Sequence, residues 1–66
     1  MRLTINGEAR ELPPVSTLSE LIAALELDIR KVAVERNLEI VPRSSLGEVR
    51  VEDGDAFEIV YFVGGG

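Results

Sequence analysis

Phe57-Glu58-Ile59-Val60-Tyr61-Phe62-Val63, the most apolar run of the 66-residue sequence, decides the fold. Successive side chains of a strand point to opposite faces, so Phe57, Ile59 and Tyr61 share one face while Glu58, Val60 and Phe62 share the other. Apolar residues on both faces predict a central strand, or a strand with one interior face and a sticky outer one. Asp53-Gly54-Asp55 just upstream is a strong turn signal. Downstream, the sequence runs into Gly64-Gly65-Gly66, which holds half of its six glycines.

At the other end, Met1, Leu3 and Ile5 alternate with Arg2 and Thr4, the pattern of a half-buried strand. Asn6-Gly7 follows, the pair favoured in two-residue type I′ turns, so Glu8 to Leu12 is expected to return antiparallel. A strict two-residue turn sets Arg2 opposite Glu11 and Thr4 opposite Ala9 on one face, and Leu3 opposite Arg10 on the other. Arg10 can face the apolar side only if its stem packs there and its guanidinium reaches water, which makes this second strand an edge. Pro13-Pro14 ends it.

Thr17-Leu18-Ser19-Glu20 matches a capping box, with the Thr17 hydroxyl accepting from the Glu20 N–H and the Glu20 carboxylate reaching back to the Thr17 N–H. Leu18, Leu21, Ile22 and Leu25 then fall on one stripe of a helix that belongs on a sheet. Leu27 to Lys31 has no period and reads as a connection. Val32 and Val34 mark a strand over 31–36, Asn37 a turn, and Glu39-Ile40-Val41 a short strand that Pro42 stops. Arg43 to Gly47 reads as an irregular turn and Glu48 to Val51 as a weak extended segment. The order is strand, hairpin, strand, helix, two short strands and a final central strand: an α+β domain with a mixed sheet of four to five strands and one main helix on one face. Residues 1–63 form the single domain and 64–66 a flexible tail. The helix leaves the opposite sheet face open, and Val60 and Phe62 lie there, either exposed or packed under neighbouring loops.

Composition removes many functions. A domain of this size buries only ~60% of the surface its unfolded chain exposes, so a deep enclosed pocket is not expected. There is no Cys and no His, hence no disulfide, thiolate zinc site, thiol nucleophile or imidazole base. Seven Lys and Arg against 12 Asp and Glu give a net charge of −5, and the scattered cations form no basic stripe for nucleic acid to follow. No apolar run approaches the ~20 residues of a membrane span and no secretory segment is visible, so a cytoplasmic protein is expected. Glu52, Asp53 and Asp55 lack the ligand spacing of a cation loop and read as a solvated turn. Arg36 and Arg43 read as isolated surface cations, facing solvent or an acidic partner, and Glu20 and Glu35 show no catalytic companion.

Asn6-Gly7, Thr17-Leu18-Ser19-Glu20-Leu21, Val34-Glu35-Arg36-Asn37, Ile40-Val41-Pro42-Arg43, Glu52-Asp53-Gly54-Asp55 and the ending Phe62-Val63-Gly64-Gly65-Gly66 together resemble the ubiquitin-like β-grasp sulfur carriers, and among them the ThiS family of thiamin thiazole biosynthesis. The resemblance implies a β-grasp fold with the first and last strands parallel at the sheet centre. It also places the chemistry on the Gly66 carboxylate. An E1-like enzyme of the ThiF type adenylates that carboxylate with ATP, a sulfur donor system converts the adenylate to a thiocarboxylate, and thiazole synthase (ThiG) receives the sulfur. The chain itself would be a carrier rather than an enzyme, would bind no cofactor or metal, and would use ATP only through its activating partner. Alternatives within the superfamily are a MoaD-like small subunit of molybdopterin synthase and a ubiquitin-like modifier joined through Gly66 to lysines.

Elementary chemistry agrees with such a tail. A carboxylate resists nucleophilic attack until a good leaving group is attached, and without Cys any carried sulfur cannot ride on a side-chain thiol. Gly64, Gly65 and Gly66 lack Cβ atoms, so they can thread a partner's slot, reaching ~10 Å at ~3.3 Å per residue. Val60 and Phe62, beside the root of this arm, are the expected partner-binding surface.

Overall fold

The computed structural model describes residues 1–63. Strands β1 (Arg2–Ile5), β2 (Glu8–Glu11), β3 (Val32–Arg36), β4 (Glu39–Val41) and β5 (Ala56–Tyr61) form one sheet in the order β2-β1-β5-β3-β4, with helix α1 (Leu18–Ala24) between β2 and β3 in the chain. β5 lies at the centre, parallel to β1 and antiparallel to β3. The expected α+β architecture, a mixed sheet with one helix across one face, is what forms.

The hairpin adopts the register that a two-residue turn dictates, pairing Arg2 with Glu11, Leu3 with Arg10 and Thr4 with Ala9. Asn6 and Gly7 both have positive φ, 52° and 82°, as a type I′ turn demands. β2 is an edge strand. Arg10 is exposed and lines an open cleft of about 480 Å3 with Ile5, Leu25 and Tyr61. The Asn6 side chain has a further task, since β1 stops at Ile5 while β5 continues. Its amide donates to the Ile59 carbonyl at 3.1 Å and its oxygen accepts from the Ile59 N–H at 2.7 Å. One side chain thus supplies the pairing of a missing strand residue.

Thr17 caps α1, its hydroxyl accepting from the Glu20 N–H at 3.3 Å. The Glu20 carboxylate reaches one residue further back than the capping box predicts, accepting from the Ser16 N–H at 2.7 Å instead of from Thr17. Ser16 is placed for this because its carbonyl accepts from the Val51 N–H, which laces the 48–51 segment to the helix entry. That segment forms only an isolated bridge between Thr17 and Arg50, not a strand. The unperiodic connection before β3 contains a short 3-10 turn, Ile29–Lys31, whose N-terminus Asp28 caps.

The core lies between α1 and one face of the sheet. Leu18, Leu21 and Ile22 meet Leu3, Ile5, Val32, Val34, Phe57 and Ile59, with Leu46 and Val51 closing the end. Each large apolar side chain fully removed from water contributes roughly 1.5–3 kcal/mol, so this single layer holds most of the folding free energy.

Candidate functional site

The residues singled out from the sequence lie on and beyond the C-terminal half of β5. Val60 and Phe62 alternate with the buried Phe57 and Ile59, so they project from the helix-free face, and they are 54% and 52% exposed. Neighbouring loops do not cover them. Pairing continues one residue past β5, where the Phe62 N–H donates to the Lys31 carbonyl at 2.7 Å. The strand is therefore held up to the point where Val63, exposed, leads toward Gly64, Gly65 and Gly66. Those three glycines, expected to form the tail, lie outside the described residues.

The same face carries residues that sequence reasoning did not join. Ala33 lies opposite Val60, and Glu35 lies opposite both Glu58 on β5 and Ile40 on β4. Ile40 is 80% exposed. An apolar patch of Ala33, Ile40, Val60 and Phe62 is thus bordered by two facing carboxylates. Strand alternation alone puts each of them outward; only the β3–β5 register brings them together.

Arg36, Arg43 and Asp55 depart from expectation. Arg36 and Arg43 are engaged within the chain. Arg36 pairs with Asp55 at 3.1 Å and with Glu52 at 3.4 Å. The Arg43 guanidinium donates to the carbonyls of Ile29, Arg30 and Val32, pinning the 3-10 turn to the start of β3. Asp55, read as part of a solvated turn, is buried. It accepts from the Glu52 N–H at 2.9 Å, Arg36 Nε at 3.1 Å and Asn37 Nδ2 at 3.4 Å. Burial pushes its carboxyl up, but the bonds from the Glu52 N–H, Arg36 and Asn37 outweigh this and hold it below the usual carboxylate range. Asp53 accepts from the Arg2 N–H at 2.6 Å. This acidic turn is a structural clasp, and among the described residues no cluster of His, Cys, Asp or Glu is arranged to hold a metal ion. No helix among them is long and apolar enough to cross a membrane.

The described surface therefore offers an open, half-apolar sheet face at the root of the glycine end, and no side-chain constellation for chemistry of its own. The chain is similar to several known proteins. The sulfur carrier protein ThiS of Bacillus subtilis is 40% identical over 65 residues, covering 97% of this chain and 98% of that one. The crystal structure of the thiamine biosynthesis protein ThiS from Geobacter metallireducens superposes with a TM-score of 0.82 at 38% identity, covering both chains completely. Two thiazole synthases, from Paramagnetospirillum magneticum and Magnetococcus marinus, match over the whole chain at 58% and 39% identity. The chain spans only 20% of the length of each. The family model that matches residues 3–66 is that of the ThiS family, and with the β-grasp sheet and a ThiS relative matched over nearly its whole length in agreement, the chain belongs to the ThiS family.

Proposed function

We propose that this chain carries sulfur for formation of the thiamin thiazole, with the Gly66 carboxylate as the site of modification. The observation that carries the reading is the course of β5. The central strand of a ThiS-family fold runs out between the exposed Val60 and Phe62 directly into Gly64-Gly65-Gly66. A ThiF-like adenylating enzyme transfers AMP from ATP to the carboxylate, releasing pyrophosphate. Sulfide-level sulfur (HS⁻) released by a donor system then attacks the acyl carbon and displaces AMP, leaving –CO–S⁻, which passes its sulfur to a thiazole synthase of the ThiG type and returns to the carboxylate. Match to a fifth of two thiazole synthases supports that acceptor, because there the carrier-like segment and the synthase share one polypeptide. Gly64, Gly65 and Gly66 enter the partners' active sites, Val60 and Phe62 dock beside them, and the reaction runs in the cytoplasm. The chain holds no cofactor; ATP belongs to the activating enzyme.

Intact-mass spectrometry after incubation with ATP, a ThiF-type enzyme and a sulfur donor tests this. The expected product is heavier by the replacement of one oxygen with sulfur, localised to Gly66. An unmodified chain under conditions that convert a ThiS control would overturn the reading.

A further inference from the structure

The open sheet face contains an electrostatic conflict that the fold itself does not resolve. In the antiparallel β3–β5 pair Glu35 is directly opposite Glu58. The Phe62 N–H bond to Lys31 just past β5 sets the phase, so Glu58 and Val60 of β5 point their backbone groups at β3. Ile59 correspondingly turns its N–H and carbonyl the other way, to Asn6. Glu35 and Glu58 are therefore a hydrogen-bonded pair, with Cα atoms roughly 5.5 Å apart and side chains on one face. Like charges placed this way destabilise a sheet. Both residues are exposed, and among the described residues neither carboxylate forms an ion pair.

Several acids elsewhere are matched, although Glu8, Glu26, Glu39 and Glu48 also form no ion pair among the described residues. Glu11 pairs with Arg2, Asp28 with Arg30, and Glu52 and Asp55 with Arg36. Arg36 follows Glu35 in sequence, but strand alternation turns it to the opposite face, where Asp55 holds it. Arg43 is spent on three carbonyls. Between the facing carboxylates and the apolar patch lies a shallow hollow of about 170 Å3 lined by Ala33, Glu35, Ile40, Glu58 and Val60.

We propose that this hollow receives an arginine side chain of the adenylating partner, the guanidinium bridging Glu35 and Glu58 and the methylene stem lying over Val60 and Ile40. Arginine fits better than lysine because its planar fork can serve two carboxylates at once and its stem packs on apolar surface. Charge favours such an occupant, since the chain carries a net −5 and this pair is its uncompensated part on the face. A second copy of the chain would bring the same carboxylates against themselves. The cation also fixes register: with the Glu35–Glu58 pair engaged, the partner's apolar surface falls on Val60 and Phe62 and its active site beyond Val63. The proposal rests on the carrier reading above.

The test uses the full chain and a ThiF-type enzyme, with pyrophosphate release as the rate and thermal unfolding of the free carrier as control. In the Glu35→Gln/Glu58→Gln variant the KM for carrier should rise roughly tenfold or more at low salt, with kcat unchanged and Tm equal or higher. Raising the salt should weaken the wild type toward the variant while hardly affecting the variant. Glu58→Lys should raise Tm by pairing with Glu35, yet raise KM further. An unchanged KM, or a KM rise accompanied by a fall in Tm, would overturn the proposal. If the wild type releases no pyrophosphate, the carrier reading falls and this site with it. If the wild type reacts and the variants match it, only the arginine site falls.

Discussion

Replacing Asp55 by asparagine keeps the shape of the side chain and removes its charge, which isolates what the acidic turn contributes. In the wild type one carboxylate oxygen accepts from the Glu52 N–H and Arg36, and the other from Asn37 Nδ2. The substituted amide can keep its oxygen on the first two donors, but then its NH2 faces the Asn37 NH2. Asn37 cannot flip to accommodate it, because its own oxygen accepts from the Ala56 N–H at 3.0 Å. The Arg36 ion pair becomes a bond from a cation to a neutral amide, the Glu52 N–H bond becomes neutral on both sides, and the third is lost, worth together about 2–3 kcal/mol before screening. The Arg36 side chain is 29% exposed, so about 2 kcal/mol is the expected loss. A domain of this length has a total stability of roughly 3–10 kcal/mol, and Tm should fall by about 8–16 °C. Acidity supplies a second axis. The folded-state pKa of Asp55 lies below its unfolded value, so its stabilisation is fully present above the unfolded pKa of ~3.9 and disappears as pH falls through the folded pKa. The gap between wild type and D55N should therefore stay constant from neutral pH to about 5 and close below about 4. Asp28, whose side-chain bond to Arg30 holds its pKa at about 2, titrates alike in both proteins and cancels. Thermal melts followed by circular dichroism across this range provide the measurement. A Tm change under about 3 °C at pH 7, or a gap that persists undiminished at the acid end, would refute the reasoning.

Asn6→Gly keeps a turn-competent residue but deletes both bonds to Ile59, so a loss of about 1–2 kcal/mol in urea unfolding is expected. Leu38 has φ 73° and is 87% exposed; Leu38→Gly should relieve strain of about 1 kcal/mol, offset in part by unfolded-state entropy, for a net gain of ~0.5 kcal/mol in the same assay. Phe62→Asp should leave Tm within about 4 °C of wild type while raising the KM for the carrier in the adenylation assay, since the ring is already half in water; equal damage to stability and binding would assign Phe62 to the core.

What was readable depended on how each contact is specified. Local chemistry specified the Asn6-Gly7 hairpin down to its residue pairs, because a two-residue turn permits one register. Thr17 likewise announced the helix start, and the two-faced apolar run placed β5 at the centre. Pairing of Glu35 with Glu58 was not readable, because β3 and β5 are separated by β4, the 43–45 turn and the 48–51 segment, with no tight turn to fix their offset. Asp55 looked solvated for a related reason: its partners Arg36 and Asn37 lie 19 and 18 residues earlier. Two of the three carbonyls that Arg43 caps belong to a 3-10 turn whose sequence has no apolar period to reveal it, and the third is that of Val32 at the start of β3. Alternation along one strand sufficed to orient Val60 and Phe62 toward the helix-free face, while their exposure, left open between solvent and loop packing, needed the structure.

The Asn6 amide gives the sheet an unusual economy of space. Supporting the far half of β5 on its β1 side in the ordinary way would require β1 to run further, and the hairpin with β2 would then extend alongside the root of the glycine segment. Because one side chain satisfies Ile59, the hairpin can fold back early at Gly7 while the central strand continues past it. The β1-side flank of Tyr61 to Val63 is thereby left without a neighbouring strand, and it is from there that the proposed adenylating enzyme would reach the glycine end.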